Sequence, residues 1–445
     1  MKKVITYGSF DLFHKGHYRL LERAKSLGDY LIVGVTTEQY DQYRGKLNIV
    51  DSLSTRMENV RSSGFADEVI VESYLGQKAE DITKYGISTF VVGSDWQGAF
   101  ENLKDLCEVI YLERTKDISS TLLRSNNNSI VRIGIIGSGR IAERFMSEAK
   151  YVSGLSIESV YNPDLECAKA FGEKFELNFT TDDLSSFFHS VDAVYIAAPH
   201  HVHIQYINAT LMENKHVLCE KPMSLNKRDA EKVFALAKSR NLILFEAIKT
   251  AYCPGFTQLI GVIKSGLIGD VRDVEACFTK LVPVTSTREW QAEGAGAFNE
   301  LASYPLCGIA KILGVDFSDV RFVTHRNKSG VDYYTKAYFT YPDAFATVKV
   351  GIGVKSEGSM IISGTKGYIS VKPPWWKTEQ FDACFENPGD NESFFCKFSG
   401  DGLRYELSDF ISSINGKESK KFTSRESIFM ADVLERFSAT KCNNN

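Results

Sequence analysis

The feature that most constrains this 445-residue chain is an alternation of short apolar bursts with amphipathic stretches that stops once and then starts again. From Lys3 to Thr115 the bursts VITYG, YLIVGV, EVIVE, TFVVGS and EVIYLE are separated by helical patterns, among them about Gly16 to Leu27 and Arg56 to Ser62. Short apolar runs that alternate with helices mark a doubly wound α/β domain with a parallel sheet. The polar tract Ser125-Asn126-Asn127-Asn128-Ser129 interrupts this pattern. It has nothing to bury and its residues tolerate turns, so a domain boundary falls there. The alternation then begins afresh with IVRIGIIG, a helix from about Arg140 to Ala149, SIESVYN, AVYIAAP, KHVLCEKP and LILFEA, a second sheet running to about Lys249. Beyond it VRDVEACFTKLVPV, AYFTYP, ATVKVGIGV, SMIISGT and GYISVK alternate with period two. That texture predicts a largely antiparallel sheet with one face covered, closed by a helix over Ser424 to Thr440.

The fold class expected is therefore α/β, with a third, α+β part. At roughly 100–200 residues per domain the length fits three domains, placed at 1–125, 129–250 and 251–445. With 43% hydrophobic and 24% charged residues the chain has the composition of a folded globular protein. A formal charge of −4 leaves no footprint for polymeric nucleic acid or an anionic membrane. Nine cysteines, with no CxxC pair and no companion histidines, give no metal-ligand spacing, and no protein-held metal is expected. Met1 leads directly into a strand-like stretch, and no apolar run approaches the ~18 residues that span a bilayer, so a cytoplasmic protein is expected.

Directly after the first strand, GSFDLFHKGH places a glycine-containing turn before His14 and His17. Three-residue spacing puts both imidazoles on one face of a first helical turn, beside N–H groups that favour anions. Displacement at the α-phosphate of a nucleoside triphosphate needs charge stabilisation more than acid–base chemistry, and histidines with amides suit it. The string Gly8-Ser9-Phe10-Asp11-Leu12-Phe13-His14-Lys15-Gly16-His17 resembles the signature of the glycerol-3-phosphate cytidylyltransferase family. Arg44-Gly45-Lys46, Arg56, Gly93-Ser94-Asp95-Trp96 and Arg114-Thr115-Lys116-Asp117-Ile118-Ser119-Ser120-Thr121 resemble that family's further motifs in order, with Ser94 and Asp117 departing from pattern. The resemblance covers nearly all of residues 1–124. It implies that His14, His17, Lys46 and Arg114 act on the phosphates, and that Arg56 handles the substrate phosphate. Gly8, Ser9, Phe10, Asp11, Gly16, Asp95, Trp96, Ser119 and Thr121 would line a CTP site, with Mg²⁺ arriving on CTP. Trp96 reads equally as core packing.

The second constellation starts at Ile133-Gly134-Ile135-Ile136-Gly137-Ser138-Gly139-Arg140-Ile141-Ala142, a buried strand ending in GxGxxA. Its logic is a tight turn at Gly137, close backbone approach to a pyrophosphate at Gly139 and close helix packing at Ala142. About twenty residues on, where an acidic residue would hold the ribose of NAD, Asn162 stands, so NADPH and NADH are both open. Arg140 is the nearby cation. Ala198-Pro199-His200-His201-Val202-His203 and Lys215 to Pro222, with Glu220-Lys221-Pro222, resemble the Gfo/Idh/MocA oxidoreductases. That resemblance implies cofactor contacts through Gly137, Ser138, Gly139, Arg140, Ile141, Asn162, Ala198, Pro199, His203, Glu220 and Pro222, with Lys221 beside the reacting carbon. The segment Gly294 to Leu306 resembles the same family's GGGxLxDxGxY motif, making Tyr304 the proton donor and Glu300, in place of Asp, a substrate contact.

The pairing predicts a bifunctional enzyme. One half would reduce the carbonyl of a sugar phosphate, before transfer, or of a CDP-linked compound, after it, with NADPH or NADH; the other would couple a sugar or polyol phosphate to CMP from CTP, releasing pyrophosphate, to give a CDP-polyol for a surface glycan or teichoic-acid-like polymer. Two other readings stand beside it: a nucleotide-sensing module without turnover in the second half, or adenylyl transfer in the first. A homo-oligomer, dimer or tetramer, is expected, because an open antiparallel sheet presents a face to cover.

Overall fold

The computed structural model describes residues 1–113, 130–291 and 294–440. The chain forms two compact units, Met1–Ala193 and Val194–Asn445.

The first unit opens with five parallel strands, β1 (Lys3–Gly8), β2 (Tyr30–Thr36), β3 (Glu68–Glu72), β4 (Thr89–Gly93) and β5 (Glu108–Leu112), ordered β3-β2-β1-β4-β5. Helices α1 (Lys15–Lys25), α2 (Glu38–Tyr43), α3 (Leu53–Ser62) and α4 (Gln77–Tyr85) make the crossovers. Strands covered on both faces read as continuous apolar runs. Accordingly Val4, Leu31, Val33 and Val91 enter one core and Ile5, Ile32 and Phe90 another. The strand order reverses between β1 and β4, and doubly wound sheets bind ligands outside the carboxyl ends of strands at such a point. The loop after β1, which carries His14, leaves from that place.

The second parallel sheet is ordered β11-β10-β9-β6-β7-β8, from β6 (Val131–Ile136), β7 (Leu155–Tyr161), β8 (Phe179–Thr181), β9 (Ala193–Ile196), β10 (His216–Glu220) and β11 (Leu244–Ala247). Helix α5 (Arg140–Ala149) follows β6 over the expected residues, and α6 (Leu165–Lys174) follows β7.

The second unit carries an eight-stranded sheet ordered β13-β14-β15-β12-β16-β17-β18-β19. Its strands are β12 (Val271–Thr279), β13 (Asp319–Arg326), β14 (Asp332–Thr340), β15 (Phe345–Gly351), β16 (Met360–Gly364), β17 (Tyr368–Val371), β18 (Gln380–Cys384) and β19 (Glu392–Phe395). Alternation decides its faces: Ala337 and Phe339, Val348 and Val350, Met360 and Ile362, and Ile369 and Val371 are buried, while Tyr338, Phe345 and Tyr368 are exposed. The sheet is largely antiparallel, as expected, with one parallel pair, β12 with β15 from Asp273↔Phe345 to Thr279↔Gly351. A parallel neighbour needs a long crossover. Here the chain supplies it through α7 (Ser303–Leu313) and the β13–β14 hairpin before β15. The closing helix, α8, spans Ser424–Ala439.

Candidate active sites

In the first unit the turn after β1 is held in an unusual backbone. Phe10 and Leu12 both adopt the left-handed region, at φ 51° and 46°, which non-glycine residues enter only where surrounding bonds over-determine them. Those bonds are present: Asp11 Oδ1 accepts from the N–H groups of Val50 and Asp51 at 3.1 and 2.8 Å, and Asp51 Oδ2 accepts from Leu12 N–H at 3.0 Å. Below the turn Arg56 is fully buried and donates to the carbonyls of Ser9, Thr36 and Asp51 at 2.8, 2.8 and 3.0 Å. Its guanidinium also faces Glu38 and Asp41 at 3.3 and 3.8 Å. The sequence expectation that Arg56 touches a substrate phosphate therefore meets a side chain already committed to backbone, beneath the turn rather than on its open side.

The turn delivers two imidazoles. His14 is the N-cap of α1, its Nδ1 accepting from Gly16 N–H at 3.1 Å, and His17 Nδ1 accepts from His14 N–H at 3.4 Å. The rings stack with centroids 3.9 Å apart. An Nδ1 that accepts leaves the proton on Nε2, so these bonds assign both rings as neutral Nε2–H donors. Burial and the neighbouring His14 and Lys46 hold His17 well below the ordinary imidazole range, which fits the neutral form.

Both rings line a cavity of about 850 Å³ together with Gly8, Lys46, Asp95 and Trp96. Lys46 donates to the carbonyl of Lys150 at 2.9 Å. Burial, then the charge of Arg44, bring its ammonium down to about 8 against the pull of Asp41, Asp11 and Asp95. Arg44 is paired with Asp41 at 2.6 Å and Lys78 with Glu72. Trp96 is half-buried, 6.3 Å from the Phe100 ring and 5.6 Å from that of Tyr151. Arg114, Ser119 and Thr121 lie outside the described residues. Asp51 and Lys150 were not singled out from sequence, since each acts through a partner distant in the chain, Leu12 and Asp95, and no local motif marks it; Lys78, paired locally with Glu72, was passed over as well.

Further along the same unit, Gly137 takes φ 95° and Gly139 caps α5 with no side-chain bond. A Cβ at Gly139 would meet nothing within 4 Å, so the helix start opens onto free space of the kind a pyrophosphate fills. Ala142, by contrast, is fully buried. Asn162 at the end of β7 donates to Ser138 Oγ at 2.8 Å and accepts from Asp164 N–H at 2.9 Å. It pins the glycine turn. Arg140 and Ile141 form the first turn of α5, with Arg140 exposed. These residues fit a dinucleotide.

In the second unit Lys221, after β10, donates to the backbone carbonyl of Glu300 at 3.2 Å and lies 5.6 Å from the centre of the Tyr304 ring. Tyr304 packs edge-on against Phe278 at 4.9 Å. Glu300 Oε1 faces His200 Nδ1 at 3.7 Å and Arg288 Nε at 3.8 Å. Burial and the cations Lys221 and Arg288 press His200 down to about 2, so it meets Glu300 as a neutral ring. His203 is fully buried, its ring nitrogens 2.9 Å from the carbonyl of Pro222 and 2.8 Å from that of Ala198. Burial lowers it to about 4 despite those carbonyls, so the neutral ring donates to one of them. It ties the Ala198–Pro199 turn to Lys221–Pro222. Glu220 accepts from Tyr195 O–H at 2.6 Å and from Lys221 N–H at 3.2 Å. Sequence reading gave no role to His200, a variable position of the Ala198 to His203 string, or to Arg288, which lies in no motif, and only the fold brings them to Glu300.

Among the described residues no group of three His, Cys, Asp or Glu side chains is placed to hold a metal, and no helix is long and apolar enough to cross a membrane.

Residues 5–126 match the cytidylyltransferase-like family, residues 131–248 the oxidoreductase family with an NAD-binding Rossmann fold, and residues 256–370 the GFO/IDH/MocA C-terminal domain. Glycerol-3-phosphate cytidylyltransferase of Bacillus spizizenii is 50% identical over 130 residues, which is 29% of this chain and 100% of that protein. Trans-1,2-dihydrobenzene-1,2-diol dehydrogenase of Bos taurus is 28% identical over 322 residues, 68% of this chain and 95% of that one. The fold of the same part is shared with a 3-ketoreductase of Actinomadura kijaniata solved with NADP, at TM-score 0.61 and 23% identity over 68% of this chain and 96% of that one. The chain is thus an enzyme that joins a member of the glycerol-3-phosphate cytidylyltransferase family to an NAD(P)-binding oxidoreductase of the GFO/IDH/MocA family.

Proposed function

We propose that this enzyme makes a CDP-activated polyol, reducing a carbonyl to the hydroxyl of the polyol and transferring cytidylate to its phosphate. The observation that carries the reading is that one chain holds both a cleft of neutral imidazole donors and a lysine–tyrosine carbonyl site. Residues 1–125 form the transferase, 129–250 the dinucleotide domain and 251–445 the substrate and assembly domain.

In the transferase an oxygen of the acceptor phosphate attacks the α-phosphorus of CTP, and the bond to the bridging oxygen of the β-phosphate breaks, releasing pyrophosphate. His14 and His17 offer Nε2–H donors to the charge that grows on the phosphoryl oxygens, and the Lys46 ammonium adds a fixed cation. Donors set in place in advance lower the barrier without reorganising. Gly8, Ser9, Phe10 and Asp11 shape the turn under the nucleotide, and Mg²⁺ arrives with CTP.

In the reductase the nicotinamide cofactor supplies the hydride. Gly137, Ser138, Gly139 and Arg140 hold its phosphates, while Ala198, Pro199 and Glu220 shape the nicotinamide end. Lys221 hydrogen-bonds the carbonyl oxygen and Tyr304 O–H gives it the proton, so that carbonyl, hydride and proton sum to an alcohol. Glu300 and Arg288 orient the substrate. Asn162 puts no carboxylate against a 2′-phosphate, so the site admits NADPH as well as NADH. The acceptor is a short polyol phosphate, the product serves a surface polysaccharide or teichoic-acid-like polymer, and the enzyme works as a homo-oligomer in the cytoplasm, where CTP and NAD(P)H are made.

A product screen by mass spectrometry with CTP, NADPH and three- to six-carbon sugar phosphates tests the reading. It predicts a CDP-polyol mass that needs both cosubstrates. Pyrophosphate release with ATP in place of CTP, or no oxidation of NADPH or NADH with any substrate, contradicts it.

A further inference from the structure

The cavity that holds His14 and His17 is completed by residues that no cytidylyltransferase motif contains. Across from them stand Lys150 to Gly154, the turn joining α5 to β7, which belongs to the matched NAD-binding region rather than to residues 5–126. The contact has three parts. Lys46 Nζ donates to the Lys150 carbonyl at 2.9 Å. Leu47 forms a parallel bridge with Val152, its N–H donating to the Tyr151 carbonyl at 2.7 Å and its carbonyl accepting from Ser153 N–H at 3.0 Å. Lys150 Nζ donates to the Asp95 carbonyl at 3.0 Å and sits 4.3 Å from the centre of the Trp96 ring, against which Tyr151 packs edge-on.

A lysine has three N–H donors and about four freely rotating bonds, and fixing it costs up to ~2 kcal/mol of side-chain entropy. One bond to a backbone carbonyl spends a single donor and aims the other two. We propose that the Lys150–Ser153 turn of the reductase's dinucleotide fold is a positioning element of the transferase, fixing the Lys46 ammonium and the Asp95–Trp96 segment for the nucleotide. This rests on the transferase reading above. It makes the two halves more than neighbours on one chain, since cytidylyl transfer then requires the reductase domain in place. Among the described residues the charged and titratable groups around Lys46 are Arg44 and Asp41 at the end of α2, Asp11 in the β1 turn, Asp95 after β4, the neutral His17 on α1, and the Lys150 ammonium. Contact with the turn keeps Lys46 from water, which holds its ammonium to about 8.

Two full-length variants test this: Ser153→Pro, which removes the N–H given to Leu47, and Lys150→Ala with Tyr151→Ala, which strips the Trp96 side. Pyrophosphate release from CTP and glycerol 3-phosphate is followed against pH, with melting temperature and carbonyl-dependent NADPH oxidation as controls of folding. The expected result is a fall of at least 10-fold in transferase kcat/KM, with NADPH oxidation within twofold of the parent. The alkaline limb should also move upward from about pH 8 by one pH unit or more in Ser153→Pro. Lys150→Arg with Tyr151→Phe, which keeps the cation and the ring, should restore most of the rate. Unchanged transferase kcat/KM and limb in variants that keep the reductase rate would overturn the proposal, as would equal losses of both activities. A parent that releases no pyrophosphate with CTP contradicts the transferase reading itself, and so is told apart from failure of the turn.

Discussion

Replacing His17 tests whether the imidazoles act as neutral donors. Its Nδ1 is occupied by His14 N–H at 3.4 Å, so only the Nε2 side serves the cleft. Removing one preorganised donor from a site where phosphoryl charge develops costs about 2.7–4 kcal/mol, or roughly 10²–10³ in kcat. His17→Ala should show that full loss. The same change deletes one weak capping bond, about 0.5–1.5 kcal/mol of stability, and ring contacts with Phe10 and Phe13 at 5.4 and 5.5 Å. The protein should therefore melt a few degrees lower while remaining folded. A glutamine amide reaches about where Nε2 stands, and an asparagine amide only about where Nδ1 stands. His17→Gln should thus recover about 10-fold over alanine, and His17→Asn should not. The assay is pyrophosphate release at saturating CTP, with NADPH oxidation in the same sample as a folding control. Asparagine outperforming glutamine would refute the assigned tautomer, and an imidazole NMR titration showing His17 protonated at pH 7 in the free protein would refute its neutrality.

Other residues give independent outcomes. Burial raises Glu246 to about 7 from 4.5, so the folded protein keeps a proton that the unfolded chain loses; the contribution of this group to stability is fully present below pH 4.5 and is lost as pH rises to 7, by up to about 3 kcal/mol. Glu246→Gln keeps an acceptor for Met223 N–H, so thermal melts should show little change at pH 5 and a higher melting temperature at pH 8. Tyr304→Phe retains the packing on Phe278 and should cut the reductase kcat by roughly 10²–10⁴ at unchanged melting temperature, sparing pyrophosphate release. Arg56→Ala strips the donor from three carbonyls while Asp41 keeps Arg44, and leaving those acceptors unpaired costs about 3–5 kcal/mol together, readable in denaturant unfolding. A phosphate-binding role alone would leave that stability intact.

Much of the architecture was legible in the chain because its elements are local. Runs such as YLIVGV and IVRIGIIG carry their own burial pattern, and α5 begins and ends where glycine and amphipathic spacing place it. Pairing partners are not local. That β12 lies parallel to β15 depends on where a crossover of some sixty-five residues returns, which no alternation within either strand specifies. The site divides the same way. His14, His17, Gly137 and Gly139 sit in contiguous strings whose geometry is nearly determined by the string. Arg56 had the residue type of a phosphate ligand, but its burial beneath the β1 turn is a tertiary fact. His200 and Arg288 meet at Glu300 only through folding.

Two separate sites act in one chain, and a pair of single variants measured for both reactions tells this apart from a single shared site. With each reaction given its own substrate, CTP and the polyol phosphate for transfer, NADPH and the carbonyl compound for reduction, His17→Ala should cut pyrophosphate release by roughly 10²–10³ and leave NADPH oxidation at the parent rate. Lys221→Ala should do the reverse. Loss of both activities from either substitution, at an unchanged melting temperature, would contradict the account.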